Sequence, residues 1–136
     1  MIDSFRLNRR RALITGSVRG IGLALARGLA QAGAQVVLNG RDAERARGAC
    51  ALLRDEGLDA EYSVFDVTDH QGVAMAVDAL ENRLGPIDIL INNAAWNIGI
   101  PFHNLTELDA ATWDRVQETN VRGPYLLARE LQPELA

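Results

Sequence analysis

The sequence predicts an α/β domain in which a doubly wound parallel β-sheet carries helices on both faces. Four short apolar runs alternate with longer segments whose apolar residues recur every three or four positions. The run at 87–91 is apolar except for Asp88, which is typical of a strand covered on both sides. Strands that alternate with helices form parallel sheets through right-handed crossovers, and a doubly wound sheet of this kind has the strand order 3-2-1-4.

The first strand and helix are predicted at 12–14 and 20–32. Between them lies a glycine-rich turn. Ile21, Leu25 and Leu29 recur every four residues and predict the buried face of this helix.

The later elements follow the same alternation. Residues 39–40, Asn-Gly, are predicted to end the second strand as a turn. Thr68 or Asp69 caps the third helix, and proline is predicted to bend the last helix near 123–124. The predicted strands lie at 36–38, 62–65 and 87–91, and the predicted helices at 43–56, from 68 or 69 to 84, and at 109–134. We expect residues 1–136 to form one incomplete domain, since the fourth strand of such a sheet normally pairs with a fifth.

Composition excludes several classes of protein. Hydrophobic residues make up 48% and charged residues 24%, and the net charge of −4 argues against nucleic acid as a partner. The basic run at 9–11 is interpreted as a solvated strand entry. We find no leader sequence, membrane-span pattern or metal-ligand spacing, and expect neither a metal nor a membrane partner. The single cysteine, Cys50, is expected to be buried and fits a cytoplasmic protein.

The glycine-rich turn at 15–22 is predicted to bind a dinucleotide. Gly16, Gly20 and Gly22 leave the backbone bare where the helix begins, and glycine adopts positive φ there without strain. Backbone N–H groups and the helix dipole at such a terminus attract the pyrophosphate. The alternative is a tight turn without a ligand, which a glycine pattern alone does not exclude.

This turn, spaced Gly-x-x-x-Gly-x-Gly, resembles the cofactor motif of the short-chain dehydrogenase/reductase family. Residues 92–95 resemble its Asn-Asn-Ala-Gly motif, with Ala95 in place of the usual glycine. Residues 66–67 resemble its adenine-contacting position, and Asn120 resembles the helix asparagine of its catalytic tetrad. For Asp66 the alternative is a helix-side cap, and for Asn120 it is the capping of a helix bend.

The resemblance extends over 12–130 in the family's order and implies the N-terminal half of a Rossmann-type oxidoreductase that acts on a carbonyl or alcohol. Residues 36–42 are similar to gluconate 5-dehydrogenase-like and 3-oxoacyl-acyl-carrier-protein-reductase-like members. The candidate cofactor-binding residues are Thr15, Gly16, Ser17, Arg19, Gly20, Ile21, Gly22, Asn39, Arg41, Asp66, Val67, Asn93, Ala94 and Ala95.

NADP is the predicted cofactor, and NAD is the less favoured alternative. An acidic residue at the end of the second strand binds the ribose 2′-hydroxyl and repels a 2′-phosphate. We place Asn39 at that position, with Arg41 and Arg19 bracketing the phosphate through charge-assisted bonds worth about 1.5–3 kcal/mol each. Asp42 opposes this interpretation, because a small shift would direct its carboxylate at the ribose. The alternative for each arginine is an ordinary surface charge.

The family's catalytic serine, tyrosine and lysine are not expected in this sequence. All 14 basic residues are arginines, so a Tyr-x-x-x-Lys pair is absent. Tyr125 and Arg129 have its spacing but lie one helix too early, and His70 and His103 are expected to be turn or surface residues without partners. The chain alone is therefore predicted to be inactive. The alternatives are an NADP-binding fragment without activity, one part of a split enzyme and, remotely, a Rossmann-like methyltransferase.

The fourth strand and the last helix predict a partner. The strand at 87–91 would form an apolar, unprotected edge, which favours association. The last helix also carries apolar residues whose packing partner is missing, namely Val116, Val121, Leu126, Leu127 and Leu131. We expect either a homo-oligomer or a complementary C-terminal polypeptide.

Overall fold

A computed structural model describes residues 3–100, 102–133 and 135 of the chain. Its strands are β1 (Arg11–Ile14), β2 (Gln35–Gly40), β3 (Ala60–Val64) and β4 (Ile89–Ile91). They form one four-stranded parallel sheet in the order β3-β2-β1-β4, which confirms the predicted fold class and strand order. The carboxyl ends of β1, β2 and β4 therefore lie side by side at one edge of the sheet, where the candidate site is built.

Helices cover both faces of this sheet. They are α1 (Gly20–Gln31), α2 (Ala43–Asp55), α3 (His70–Leu84) and α5 (Gly123–Leu131), whereas α4 (Ala110–Gln117) has no buried residue and lies outside the core. Ala12 and Ile14 of β1 pack with α1 and α2, whereas Leu13 between them packs with α3 and α5. The alternation of side chains along one buried strand thus supplies both halves of the core. Short 3₁₀ turns, Asp3–Phe5 and Phe102–Glu107, lie outside these layers.

The buried face of α1 differs from the predicted one. Gly22, Ala26 and Ala30 are buried, whereas Ile21 is 75% exposed and Leu25 is 39% exposed. The helix begins in close contact with the glycine turn, so its fully buried positions carry small residues, while Leu29 is partly buried against the same core. The prediction was therefore wrong for Ile21 and Leu25 but not for Leu29.

Two strand boundaries also differ from prediction. Asn39 and Gly40 do not form a turn but continue β2, because pairing with β3 extends through both residues. The fourth strand occupies only Ile89–Ile91, and Ile87 is fully buried in the core with α3 and α5. The exposed edge of the sheet is consequently shorter than the predicted run at 87–91.

The last predicted helix, at 109–134, is divided in two. One π-helical turn, Glu118–Arg122, joins α4 to α5, and Pro124 lies in the first turn of α5, where its missing N–H is tolerated. An added Cβ on Gly123 would lie 3.1 Å from the Cβ of Val67, so glycine allows α5 to approach the loop before α3. Leu126, Leu127 and Leu131 are buried, Val116 is half-buried and Val121 is exposed. Glu134 lies outside the described residues.

The helices that start from loops begin in two different ways. The helices α2, α3 and α4 each follow an aspartate whose carboxylate accepts a backbone N–H: Asp42 from Arg45 at 3.0 Å, Asp69 from Gly72 at 3.1 Å and Asp109 from Thr112 at 2.7 Å. The residue before α1 is Arg19, whose side chain caps nothing, and the first turn of α1 holds no acidic residue.

Candidate functional site

The glycine turn is tied to the end of β2 by Ser17. The buried Ser17 hydroxyl donates to the carbonyl oxygen of Ile14 at 2.7 Å and accepts the N–H of Asn39 at 2.9 Å. The Ser17 N–H in turn donates to the carbonyl oxygen of Asn39 at 2.9 Å. The Ser17 side chain, a candidate cofactor ligand, is therefore used to shape the turn.

Asn39 holds the same turn from β2. Its buried side-chain oxygen accepts the N–H of Gly16 at 3.0 Å. Its amide nitrogen donates to the carbonyl oxygens of Ser63 and Phe65, at 3.3 and 3.1 Å. The Asn39 side chain is thus directed at three backbone groups and not at the ribose position at which we expected it. The last residue of β2 is its neighbour, Gly40.

Thr15 and Asn93 tie the turn to the end of β4. The Thr15 hydroxyl oxygen accepts the N–H of Asn93 at 3.1 Å and the N–H of Ala94 at 3.0 Å. The Asn93 amide donates to the carbonyl oxygen of Gly16 at 3.0 Å. Ala94 is partly buried and Ala95 is exposed. The turn is consequently fixed by both neighbouring strands before any ligand binds.

The three glycines of the turn do not all serve the same purpose. Gly16 and Gly20 both have φ of +59°, which favours glycine. An added Cβ on Gly16 would lie 2.9 Å from the Cα of Ala94, and one on Gly22 would lie 2.3 Å from the carbonyl oxygen of Gly16. At Gly20 it would meet no described atom within 4 Å. Gly16 and Gly22 therefore serve close packing, whereas Gly20 faces open space at the start of α1.

This open space fits an anionic group. Without a capping side chain, the first N–H groups of α1 lack an intrahelical acceptor and carry the positive end of the helix dipole. The cradle is bare at Gly20, and Ile21 beside it is exposed. The residues present at the turn thus match what a dinucleotide pyrophosphate requires.

Two cations flank the turn. Arg19 and Arg41 are exposed, and neither guanidinium makes a hydrogen bond or ion pair within the described part of the chain. Asp42 was the residue that opposed an NADP site. Its carboxylate accepts the N–H of Arg45 and caps α2, so it is not directed at a ribose.

The predicted adenine position lies after β3. One oxygen of the Asp66 carboxylate accepts the Thr68 N–H at 2.9 Å and the Thr68 hydroxyl at 2.8 Å. The Val67 side chain is buried against Gly123. Asp66 therefore closes a turn before α3, while Asp69 caps that helix; the expected alternative of a helix-side cap at Asp66 does not describe this contact.

Asn120 lies in the π-helical turn and holds the segment that follows β4. Its side-chain oxygen accepts the N–H of Trp96 at 2.8 Å, and its amide donates to the carbonyl oxygen of Trp96 at 2.9 Å. The guanidinium of Arg115 stacks on the Trp96 ring at 3.9 Å. Sequence reasoning missed Trp96, and the expected alternative, capping of a helix bend, is not what the Asn120 amide does.

Tyr125 and Arg129 on α5 have the spacing of the family's tyrosine and lysine, but Arg129 contacts a residue outside that pair. The Arg129 guanidinium lies 5.7 Å from the centre of the Tyr125 ring and donates to Nε2 of His70 at 2.8 Å. The expectation that His70 has no partner was therefore wrong, because α5 packs across the start of α3. The side chain of His103 lies outside the described residues.

Cys50 behaves as a buried apolar residue, as predicted. It is 1% exposed, and burial raises the pKa of its thiol. Over residues 3–100, 102–133 and 135, we find no helix with the length and apolar character that crossing a membrane requires. The same residues contain no group of three or more His, Cys, Asp or Glu side chains placed to hold a metal ion.

Several known proteins are similar to this chain in sequence and in structure. Gluconate 5-dehydrogenase of Gluconobacter oxydans (strain 621H) is 47% identical over 127 residues, covering 93% of this chain and 48% of that protein. The 5-keto-D-gluconate 5-reductase of Escherichia coli (strain K12) is 40% identical over 129 residues, covering 95% of this chain and 50% of that protein. The crystal structure of a gluconate 5-dehydrogenase from Burkholderia cenocepacia J2315, in complex with NADP and tartrate, is similar with a TM-score of 0.90 and 46% identity, covering 96% of this chain and 50% of that one.

The chain spans about half the length of the curated relatives that it matches. These similarities confirm the predicted likeness to gluconate 5-dehydrogenase-like proteins. The model of the short chain dehydrogenase family matches residues 10–136. The chain belongs to the short-chain dehydrogenase family.

Proposed function

We propose that this chain is the cofactor-binding portion of an NADP(H)-dependent oxidoreductase that interconverts an alcohol and a carbonyl. The observation that carries the proposal is the uncapped start of α1 beside the open space at Gly20. A bare helix N-terminus that is held rigidly by two strands is suited to a pyrophosphate. The family membership leaves no support for the methyltransferase alternative.

In this proposal each part of the cofactor has its own residues. The N–H groups of Gly20, Ile21 and Gly22 bind the pyrophosphate, and Arg19 and Arg41 bind the 2′-phosphate. The turn at Asp66 and Val67 contacts the adenine, and the segment Asn93, Ala94 and Ala95 lies beside the nicotinamide-side ribose. NADP supplies the hydride acceptor or donor of the reaction. The remaining candidates, Thr15, Gly16, Ser17 and Asn39, hold the turn that presents those N–H groups.

NADP is proposed over NAD on electrostatic grounds. Two guanidinium groups that have no ion-pair partner among the described residues flank the turn, and the Asp42 carboxylate is used as a helix cap. Each charge-assisted bond to a phosphate contributes about 1.5–3 kcal/mol, which corresponds to roughly one to two orders of magnitude in affinity. A related gluconate 5-dehydrogenase structure contains NADP, which supports the same choice.

A sugar acid is the proposed substrate class for the whole protein, because several of the similar proteins are gluconate or 5-keto-gluconate enzymes. Within this chain, Asn120 positions the segment at Trp96 beside the reaction centre. The family's serine, tyrosine and lysine are not among these residues, and the sequence contains no lysine. We therefore propose that the chain alone binds NADP without turnover.

Nucleotide titration tests the proposal. The purified chain should bind NADP more tightly than NAD, measured by isothermal calorimetry and by an increase in melting temperature. The comparison variant is Gly20→Ala, whose methyl group would occupy the open space and should weaken binding; because φ of +59° also strains an alanine, its free energy of unfolding is measured beside its affinity. A wild-type chain that is folded by circular dichroism but binds neither nucleotide would contradict the proposal.

We also propose that the protein associates through the β4 edge and the last helix, with either a second copy or a complementary polypeptide. The three residues of β4 are only half-buried, and Trp113, Val121 and Tyr125 are more than half exposed on the last helical segment. Light scattering should show a species larger than a monomer, or a monomer that shifts on addition of the complementary polypeptide. A stable monomer at high concentration that binds no such polypeptide would contradict this. The buried, single cysteine supports a cytoplasmic location, which is likewise a proposal.

A further inference from the structure

The contact between Val18 and Gly40 lies where the glycine turn meets the end of β2. Gly40 is the last residue of β2 and is buried. A Cβ added to Gly40 would lie 2.7 Å from Cγ1, 3.4 Å from Cγ2 and 3.7 Å from Cβ of Val18. Its three nearest atoms thus all belong to one side chain, and the one that is too close is the Cγ1 methyl group of the valine.

The position occupied by Gly40 decides which nucleotide the site accepts. A carboxylate at the end of the second strand binds a ribose 2′-hydroxyl and repels a 2′-phosphate. The other polar groups nearby cannot take that part, because the Asn39 amide is bonded to Gly16, Ser63 and Phe65 and the Asp42 carboxylate caps α2. With Asn39 and Asp42 engaged in these contacts, residue 40 is the position at the end of β2 from which a carboxylate would reach this point.

We propose that Val18 restricts residue 40 to glycine: its Cγ1 methyl group fills the space above Gly40 and so keeps an acidic side chain, which would repel a 2′-phosphate, away from the end of β2. The residues that follow the two contact partners are Arg19 and Arg41. Since consecutive Cα atoms are about 3.8 Å apart, both arginines start within one residue of this contact and reach the same region. This inference rests on the proposed NADP site.

A double-mutant cycle on Val18 and Gly40 tests the inference. In Val18→Ala the nearest atom to a Cβ at residue 40 would be the Cβ 3.7 Å away, which is ordinary contact, so this variant should keep the preference for NADP. Gly40→Asp alone should lose affinity for both nucleotides, because the aspartate can enter only by displacing the turn. The double variant should accommodate the aspartate and bind NAD about tenfold or more tightly than NADP, a reversal expected from one carboxylate–phosphate repulsion.

Gly40→Ala separates the effect of side-chain size at residue 40 from the effect of charge, because it adds a methyl group and no carboxylate. It should weaken NADP and NAD equally in the Val18 background and have little effect beside Val18→Ala. Dissociation constants for NADP, NAD, AMP and adenosine 2′,5′-bisphosphate are measured by calorimetry, and free energies of unfolding are measured without nucleotide. The unfolding data should show that Val18→Ala relieves part of the destabilisation by Gly40→Ala.

Two outcomes would overturn the inference. One is that Gly40→Asp alone reverses the preference as fully as the double variant does. The other is that the unfolding free energies of the two substitutions simply add. A folded wild-type chain that binds neither nucleotide would instead overturn the proposed function, and the inference with it, even if the unfolding data showed the expected coupling.

Discussion

The start of α1 and the starts of α2, α3 and α4 solve the same physical problem in opposite ways. Every α-helix begins with N–H groups that have no intrahelical acceptor. Asp42, Asp69 and Asp109 satisfy one such group each at the other three helices. The residue at the equivalent position of α1 is an arginine that caps nothing.

This difference distinguishes helix starts whose N–H groups stabilise the fold from one whose N–H groups are available to a ligand. An aspartate cap contributes about 1 kcal/mol to stability and also neutralises the positive end of the helix. At α1 the chain forgoes that stabilisation and instead fixes the preceding turn through Thr15, Ser17 and Asn39. The turn is therefore rigid without being capped, which leaves its N–H groups available to an anion.

The largest effect is expected from Gly22→Ala, which attacks the rigidity of the α1 start. The new Cβ would lie 2.3 Å from the Gly16 carbonyl oxygen and 2.6 Å from the Asn93 amide nitrogen, which bond to each other. We expect a loss of about 3 kcal/mol in the free energy of unfolding, typical of severe overpacking, together with loss of NADP binding. Chemical denaturation and calorimetry measure the two effects.

Gly28→Ala is the matched control on the same helix. An added Cβ at Gly28 would meet no described atom within 4 Å. Alanine should therefore raise stability by about 0.5–1 kcal/mol through helix propensity and leave NADP affinity unchanged. Equal effects of the two substitutions would show that the close contact at Gly22 is unimportant.

The next effect is expected from Arg19→Asp, which gives α1 the kind of cap that the other helices have. The extended backbone of Arg19, with φ −158° and ψ 173°, suits a capping residue. We expect the free protein to gain up to about 1 kcal/mol in stability, while NADP affinity falls by about tenfold or more because the carboxylate competes for the same N–H groups. Arg19→Ala removes the arginine without adding a cap and should weaken NADP more than NAD. If Arg19→Asp bound NADP as well as Arg19→Ala does, the start of α1 would not be the anion site.

Asp69→Ala is expected to have a smaller effect, limited to stability. It removes the acceptor of the Gly72 N–H at the start of α3. The unfolding free energy should fall by about 1 kcal/mol, and NADP affinity should not change. Denaturation with and without NADP distinguishes these quantities; an equal loss of affinity would show that the aspartate caps also serve the nucleotide.

The alternation of apolar runs was sufficient to predict the sheet order and the region of the site, because strand order in a doubly wound sheet follows from chain order. It was not sufficient for the buried face of α1. That face depends on how closely the helix approaches the turn at Gly16 and Gly22, which is a distance between elements and not a property of either one. The large residues Ile21 and Leu25 therefore misled the prediction.

Side-chain direction limited the prediction of the site in the same way. Asn39 lies one residue before the end of β2, and its amide points back at Gly16 and across to β3. Nothing in the spacing distinguishes that direction from one toward a ribose. The contacts of Trp96 with Asn120 and of Val18 with Gly40 were missed because each joins segments that are far apart in sequence, and local periodicity does not indicate which side chains meet across them.

The smallest effect is expected from the pH dependence of the cap at Asp109, which starts α4. Hydrogen bonds from Thr112 lower the pKa of the Asp109 carboxyl below its ordinary value. A carboxyl with a lowered pKa in the folded state stabilises the fold at pH values above its unfolded pKa, and this contribution is lost as the pH falls through the folded-state pKa. Because the group is exposed, the effect is small and sensitive to salt.

In Asp109→Asn the neutral side chain still caps α4 but does not titrate, so this acid-dependent loss should disappear. Unfolding measurements between neutral and acidic pH would detect the difference. Since α1 has no carboxylate at its start, the residues around Gly20 should contribute no comparable loss, and α1 and α4 should differ in their response to acid as they do in their caps.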